Sequence, residues 1–151
     1  MESCKKLVFL AIFLLFVTLT LSACNFPPTS PCSQQFLVDA INEANENGPG
    51  IDTIELDSAC VYQLATVDNI TDGNNGLPSI TTSIIINGNG ATVRRSTGAQ
   101  KMAVRLFHVS LGGELVLNNI TLLDGLGMEP TDVTDSIRNA GGAIYNAGTL
   151  T

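Results

Sequence analysis

Beyond Pro49-Gly50 the sequence holds no apolar pattern long enough to sustain a helical period. Short apolar runs recur instead, at 83–86, 106–111, 115–117, 120–123 and 143–145. Most are bounded by glycine or asparagine, as in Asn87-Gly88-Asn89-Gly90, Gly112-Gly113, Asn118-Asn119, Gly141-Gly142 and Asn146-Ala147-Gly148. Runs this short between such corners have the length and punctuation of β-strands. Charged residues make up only 14% of the chain and tryptophan is absent, a balance that suits strands and tight corners better than a helical bundle.

Three corners align loosely. Gly90-Ala91-Thr92-Val93, Gly113-Glu114-Leu115-Val116 and Gly148-Thr149-Leu150-Thr151 each set a glycine before a β-type segment, at intervals of 23 and 35 residues. The first interval fits one turn of a β-solenoid, and the second fits one turn with an inserted loop over 126–139. A second register, through Asn87, Asn118 and Asn146, works as well. Asparagine tolerates the left-handed bend at such corners, and its amides bond to one another when successive turns stack. Ile84-Ile85-Ile86 reads as a strand covered on both faces of a parallel sheet. An antiparallel sandwich is the alternative, with few hairpin signals beyond Asn74-Asn75-Gly76.

One helix precedes all this, over 33–47. Phe36, Leu37, Ala40, Ile41 and Ala44 make its apolar stripe, while Asp39, Glu43 and Glu46 fall on the solvated side. Ser33 is its expected N-cap, and Gly48-Pro49 stops it.

The amino end carries a different message. Lys5 and Lys6, an apolar run from Leu7 to about Val17 and small residues before Cys24 form a signal-peptide layout, too short to span a membrane permanently. Leu21-Ser22-Ala23-Cys24 resembles the bacterial lipobox, which implies cleavage before Cys24 and acylation of its sulfur and new amino terminus. Two or more acyl chains hold a protein on a bilayer where one does so only marginally. Asn25 follows the lipid cysteine, which implies the outer membrane where a cell has two. Three prolines in 25–31 make a semi-rigid tether.

Removing 1–23 takes away Glu2, Lys5 and Lys6, so the net charge moves from −7 to about −8, a surface that does not attract nucleic acid. With Cys4 lost and Cys24 acylated, Cys32 and Cys60 remain, expected as a disulfide in an oxidising compartment, with two buried thiols as the alternative. Metal binding by this pair is not expected, because the chain has one histidine, His108.

Leu37-x-Asp39-Ala40-Ile41-x-x-Ala44-Asn45, followed by Gly48-Pro49-Gly50-x-Asp52-Thr53-Ile54-x-Leu56, resembles the amino-terminal cap and first coil of CSLREA-type bacterial β-helix proteins. Gly141-Gly142-Ala143-Ile144 with Asn146 is similar to the GGAI repeat of polymorphic outer-membrane proteins. Cys32 stands five residues before Leu37 where that group has its cysteine two before, so the wider pectin-lyase-like class is the one carried forward. The resemblance implies an all-β fold: a right-handed parallel β-helix with a capping α-helix at its amino end, incomplete at its carboxyl end. The chain then divides into a signal peptide (1–23), a lipidated tether (24–31), a cap (32–50) and the first coils (51–151). With no second cap before Thr151, the chain is expected to continue in further coils.

Pectin-lyase-like folds host polysaccharide lyases and hydrolases, whose chemistry needs clustered aspartates with an arginine or lysine. The candidates are Asp124, Asp132 and Asp135 with Arg94, Arg95, Arg105 and Arg138, and none forms a catalytic string. His108 reads as a packed or surface residue, Asp68 and Asp72 as part of a polar loop rather than a calcium site. The sequons at Asn69 and Asn119 carry little weight in a bacterial lipoprotein. The expectation is a non-enzymatic, exported lipoprotein, lipid-anchored through Cys24, whose scaffold binds a cell-surface or polysaccharide ligand. It needs no metal, cofactor or nucleic acid. The alternatives are the amino-terminal part of a polysaccharide lyase or hydrolase, and a non-functional fragment.

Overall fold

A computed structural model describes residues 31–98, 102–127 and 142–151. The signal segment, Cys24 and the tether to Ser30 lie outside the described residues, as does most of the 126–139 insertion. Helix α1 (Gln34–Glu46) is the expected one. Ser33 caps it by accepting from the Phe36 N–H at 3.1 Å, and Gly48 leaves it at φ +90°. Leu37, Ile41 and Ala44 are its buried stripe. Asp39 is exposed and accepts from Gln35 Nε2, one helical turn away, at 2.8 Å.

Nine strands follow in the described residues: β1 (Ile51–Glu55), β2 (Val61–Leu64), β3 (Ser83–Asn87), β4 (Thr92–Arg95), β5 (Phe107–Val109), β6 (Glu114–Asn118), β7 (Thr121–Leu123), β8 (Ile144–Asn146) and β9 (Thr149–Leu150). They form three sheets, in the orders β1-β3-β6-β9, β2-β4-β7 and β5-β8. Every pairing among them is parallel, which excludes the antiparallel sandwich. The alternation is that of one covered face: Ile54, Leu56, Ile84, Ile86 and Leu115 are buried.

The expected all-β, right-handed parallel β-helix is corrected by this arrangement. The described residues form a mixed architecture, one helix with short parallel strands in three small sheets of four, three and two strands. The physical reason lies in the core. Leu37, Ile41 and Ala44 of α1 belong to the same buried cluster as Tyr62, Leu64, Ile84, Val93 and Phe107, so the helix is a layer of the core and not an appendage to it.

The repeat is also corrected. Ile51 pairs with Ser83, Ser83 with Glu114 and Glu114 with Thr149, so this sheet steps by 32, 31 and 35 residues. The Gly113 and Gly148 corners therefore stack, but the Gly90 corner leads into β4, which belongs to another sheet and pairs with β2 and β7. Asn87 and Asn118 stack in register, with Asn118 Nδ2 donating to Asn87 Oδ1 at 2.9 Å. Asn146 instead pairs with Val109 in the third sheet. Each sequence register was half right, because glycine and asparagine punctuate every sheet alike.

Candidate functional site

The loop over 65–82 is far longer than the strands it connects; it lends Leu77 and Ile80 to the apolar core and folds the rest of its length around polar groups. Asp72 and Gly73 turn at φ +54° and +121°, and this turn folds over the side chain of Arg105. A Cβ on Gly73 would lie 2.9 Å from Arg105 Nη1, so glycine is required there by space as well as by conformation. Arg105 is fully buried, donates from Nη1 to the Asp72 carbonyl and places its guanidinium 4.8 Å from the centre of the Tyr145 ring. Burial pushes the Arg105 guanidinium below its ordinary value, and Tyr145 and Asp72 oppose that shift.

His108 comes from β5 and stands opposite Tyr145 of β8 in the parallel register. The two rings stack with centroids 5.3 Å apart and planes 12° from parallel. One face of the imidazole is thus covered, and its two nitrogens both have partners: Ser79 Oγ at 2.8 Å from Nδ1 and Asp72 Oδ2 at 3.1 Å from Nε2. His108 is 1% exposed, while the Asp72 side chain is 42% exposed. The series Ser79–His108–Asp72 therefore runs from one edge of the loop, through a buried ring, to its outer turn.

Asn75 anchors the loop from inside. Its backbone bridges to Asn69 in antiparallel fashion, the one part of the hairpin signal at Asn74-Asn75-Gly76 that is realised. Its Nδ2 faces Asn69 Oδ1, the Thr71 carbonyl and the Gly73 carbonyl at 2.9, 2.7 and 3.1 Å. Its Oδ1 is buried without a partner among the described residues. An uncompensated buried acceptor costs roughly 1 to 3 kcal/mol, which marks this as a polar point in need of a donor such as water.

The residues singled out from sequence are dispersed by this geometry. Cys32 and Cys60 form a disulfide, S–S 2.04 Å, joining the entry of α1 to the entry of β2. Cys24, Asp132, Asp135 and Arg138 lie outside the described residues. Asp124 meets Arg94, which donates at 2.8 Å, and its carbonyl accepts from Arg95 Nε at 2.7 Å. Arg94 and Asp124 make a surface ion pair that Arg95 adjoins at the edge of the second sheet, whereas Arg105 is buried under the 65–82 loop. Asp68 is bound by Asn69 Nδ2 at 3.1 Å and Asp72 by His108. Among the described residues no group of three histidine, cysteine or carboxylate side chains is placed to hold a metal ion.

His108 does lie in a strand and is packed, as its setting in an apolar run suggested. Sequence reasoning missed its partners. Ser79 is 29 residues away and Asp72 is 36 away, and only the fold of the 65–82 loop, bridged in parallel from Asn75 to Arg105 and from Ile80 to Val109, brings them together. The one available signal was that the sole histidine occupied an apolar run, where a polar ring needs partners. Comparison with protein-family models, with curated proteins and with solved structures found no match to this chain.

Proposed function

We propose that this chain is an exported lipoprotein, held on a membrane by acyl chains on Cys24 and presenting its stacked strands as a rigid support for binding at the cell surface. The observation that carries the reading is the Cys32–Cys60 bridge, a cross-link of the kind that persists outside the reducing cytosol. The lipobox-like Leu21-Ser22-Ala23-Cys24 supplies the anchor, and the proline-rich 25–31 segment supplies a short spacer. Asn25 directs the protein to the outer membrane where the cell has two. The outward rows Thr53-Ile85-Val116 and Glu55-Asn87-Asn118 are held in register by β1, β3 and β6. They offer an ordered face to a cell-surface or polysaccharide ligand, a role that involves no turnover.

The test is the intact mass and location of the native protein in its own cells. A mass that includes acyl chains on Cys24, together with detergent-dependent extraction, is expected. Cys24→Ser abolishes both. Retention of the Cys24→Ser protein in the membrane at unchanged mass overturns the anchor. Calcium-independent attachment of the full chain to cells or glycans supports the binding role, and depolymerisation of a uronate polymer by the same protein replaces it with the lyase or hydrolase alternative.

A further inference from the structure

Ser79, His108 and Asp72 form one hydrogen-bonded series, 2.8 Å and 3.1 Å at its two links. A carboxylate only accepts, so His108 Nε2 carries the proton directed at Asp72, and Nδ1 is left as an acceptor for the Ser79 hydroxyl at 2.8 Å, much closer than the other acceptor, Asn69 Oδ1 at 3.5 Å. We propose that Ser79 is an activated nucleophile that takes the acyl group of a small ester, with His108 as its general base and Asp72 holding the imidazole in the acceptor tautomer.

Four observations besides the distances support this assignment. Ser79 is half-buried and so meets solvent, whereas His108 behind it is shielded. The Ser79 N–H donates to no group among the described residues, which leaves a donor beside Oγ for the oxygen of a tetrahedral intermediate. The peptide unit that follows that donor is fixed: Asn45 Nδ2 donates to the Ser79 carbonyl at 2.9 Å, and the Ile80 N–H donates to the His108 carbonyl at 2.8 Å. The ring is fixed as well, by its stack on Tyr145.

The chemistry balances without a further reactant. Ser79 Oγ forms the bond to the carbonyl carbon as its proton passes to His108 Nδ1. Collapse of the tetrahedral intermediate breaks the bond to the leaving alcohol, which departs with that proton. The products are an ester on Ser79 and the free alcohol. Water, losing its proton to the same Nδ1, then returns the carboxylic acid and the free serine.

The full chain, disulfide intact, is treated with p-nitrophenyl acetate and separately with a fluorophosphonate, and adducts are located by peptide mass mapping. An adduct on Ser79 is expected with both reagents and none there in Ser79→Ala. Asp72→Asn retains a residue type that tolerates φ +54°, and it is expected to slow labelling on the order of 100-fold with an unchanged circular dichroism spectrum. His108→Gln is expected to do the same. Absence of an adduct on Ser79 in the unaltered protein overturns the proposal, as does labelling at an equal rate in both variants. The series is then only a tie between the loop and β5.

Discussion

Gln34, the first residue of α1, grips the backbone of Thr66 from both sides. Its Oε1 accepts from the Thr66 N–H at 3.2 Å and its Nε2 donates to the Thr66 carbonyl at 2.9 Å. The same amide accepts from the Ala65 N–H at 2.9 Å and donates to the Gly76 carbonyl at 2.7 Å. At the other end of the helix, Asn45 does the equivalent for Ser79 and Thr81, at 2.9 and 3.0 Å. Two side-chain amides thus dock α1 along the loop that carries Asp72, Asn75 and Ser79.

Gln34→Ala leaves several backbone groups of the loop without that partner. A loss of about 1 kcal/mol is expected, because water replaces the bonds to exposed Ala65 and Thr66 while the partly buried Gly76 carbonyl loses its donor. Urea unfolding of the purified variant measures it; a midpoint equal to that of the parent protein contradicts the docking role.

The Cys32–Cys60 bridge closes a loop at a sequence separation of 28. Loop-closure entropy assigns such a cross-link about 3 to 4 kcal/mol of stabilisation. Thermal unfolding with and without reductant is expected to show a drop of that size. It should be accompanied by early loss of the α1 signal, because the bridge ties the helix entry to β2.

Gly112 and Gly113 predict different penalties for the same substitution. Gly112 sits at φ +85° with open space where a Cβ would stand, so Gly112→Ala costs only the left-handed conformation, about 1 to 2 kcal/mol. At Gly113 an added Cβ would lie 2.2 Å from the Ile80 carbonyl oxygen, so backbone must move. Gly113→Ala is expected to cost about 4 kcal/mol or more, in the class of severe steric lesions. Chemical unfolding of the two variants side by side checks the order, and equal losses would refute it.

Glu55 supplies the pH dependence. Hydrogen bonds from Asn87 and then Asn89 hold its carboxyl below its ordinary 4.5, with slight burial opposing them. A carboxyl with a lowered folded-state value stabilises the protein above pH 4.5, and that contribution fades as pH falls through the folded value. The unfolding midpoint should therefore fall more steeply between pH 5 and pH 3 (approximate limits) in the parent protein than in Glu55→Gln. Identical slopes would mean that the Asn87 and Asn89 contacts do not favour the ionised form.

The sequence alone determined the elements whose signals are local. The stripe Leu37, Ile41 and Ala44 with Ser33 before it and Gly48 after it yields α1 nearly residue for residue. Alternation within 51–56 and the triplet Ile84-Ile85-Ile86 yields β1 and β3. The bridge between Cys32 and Cys60 was the expected one of two readings, buried free thiols being the other, and the structure shows the bridge. Which strand stacks on which was a tertiary decision, because the Gly and Asn corners at 88–90, 112–113 and 146–148 look alike in sequence yet serve different sheets. The same holds for the partition of the arginines, Arg94 to the Asp124 carboxylate, Arg95 to its backbone carbonyl and Arg105 to a buried loop. It holds most of all for Ser79, His108 and Asp72: a polar ring in an apolar strand announces that it needs partners, but residues 29 and 36 positions away become those partners only when parallel stacking fixes the loop against β5.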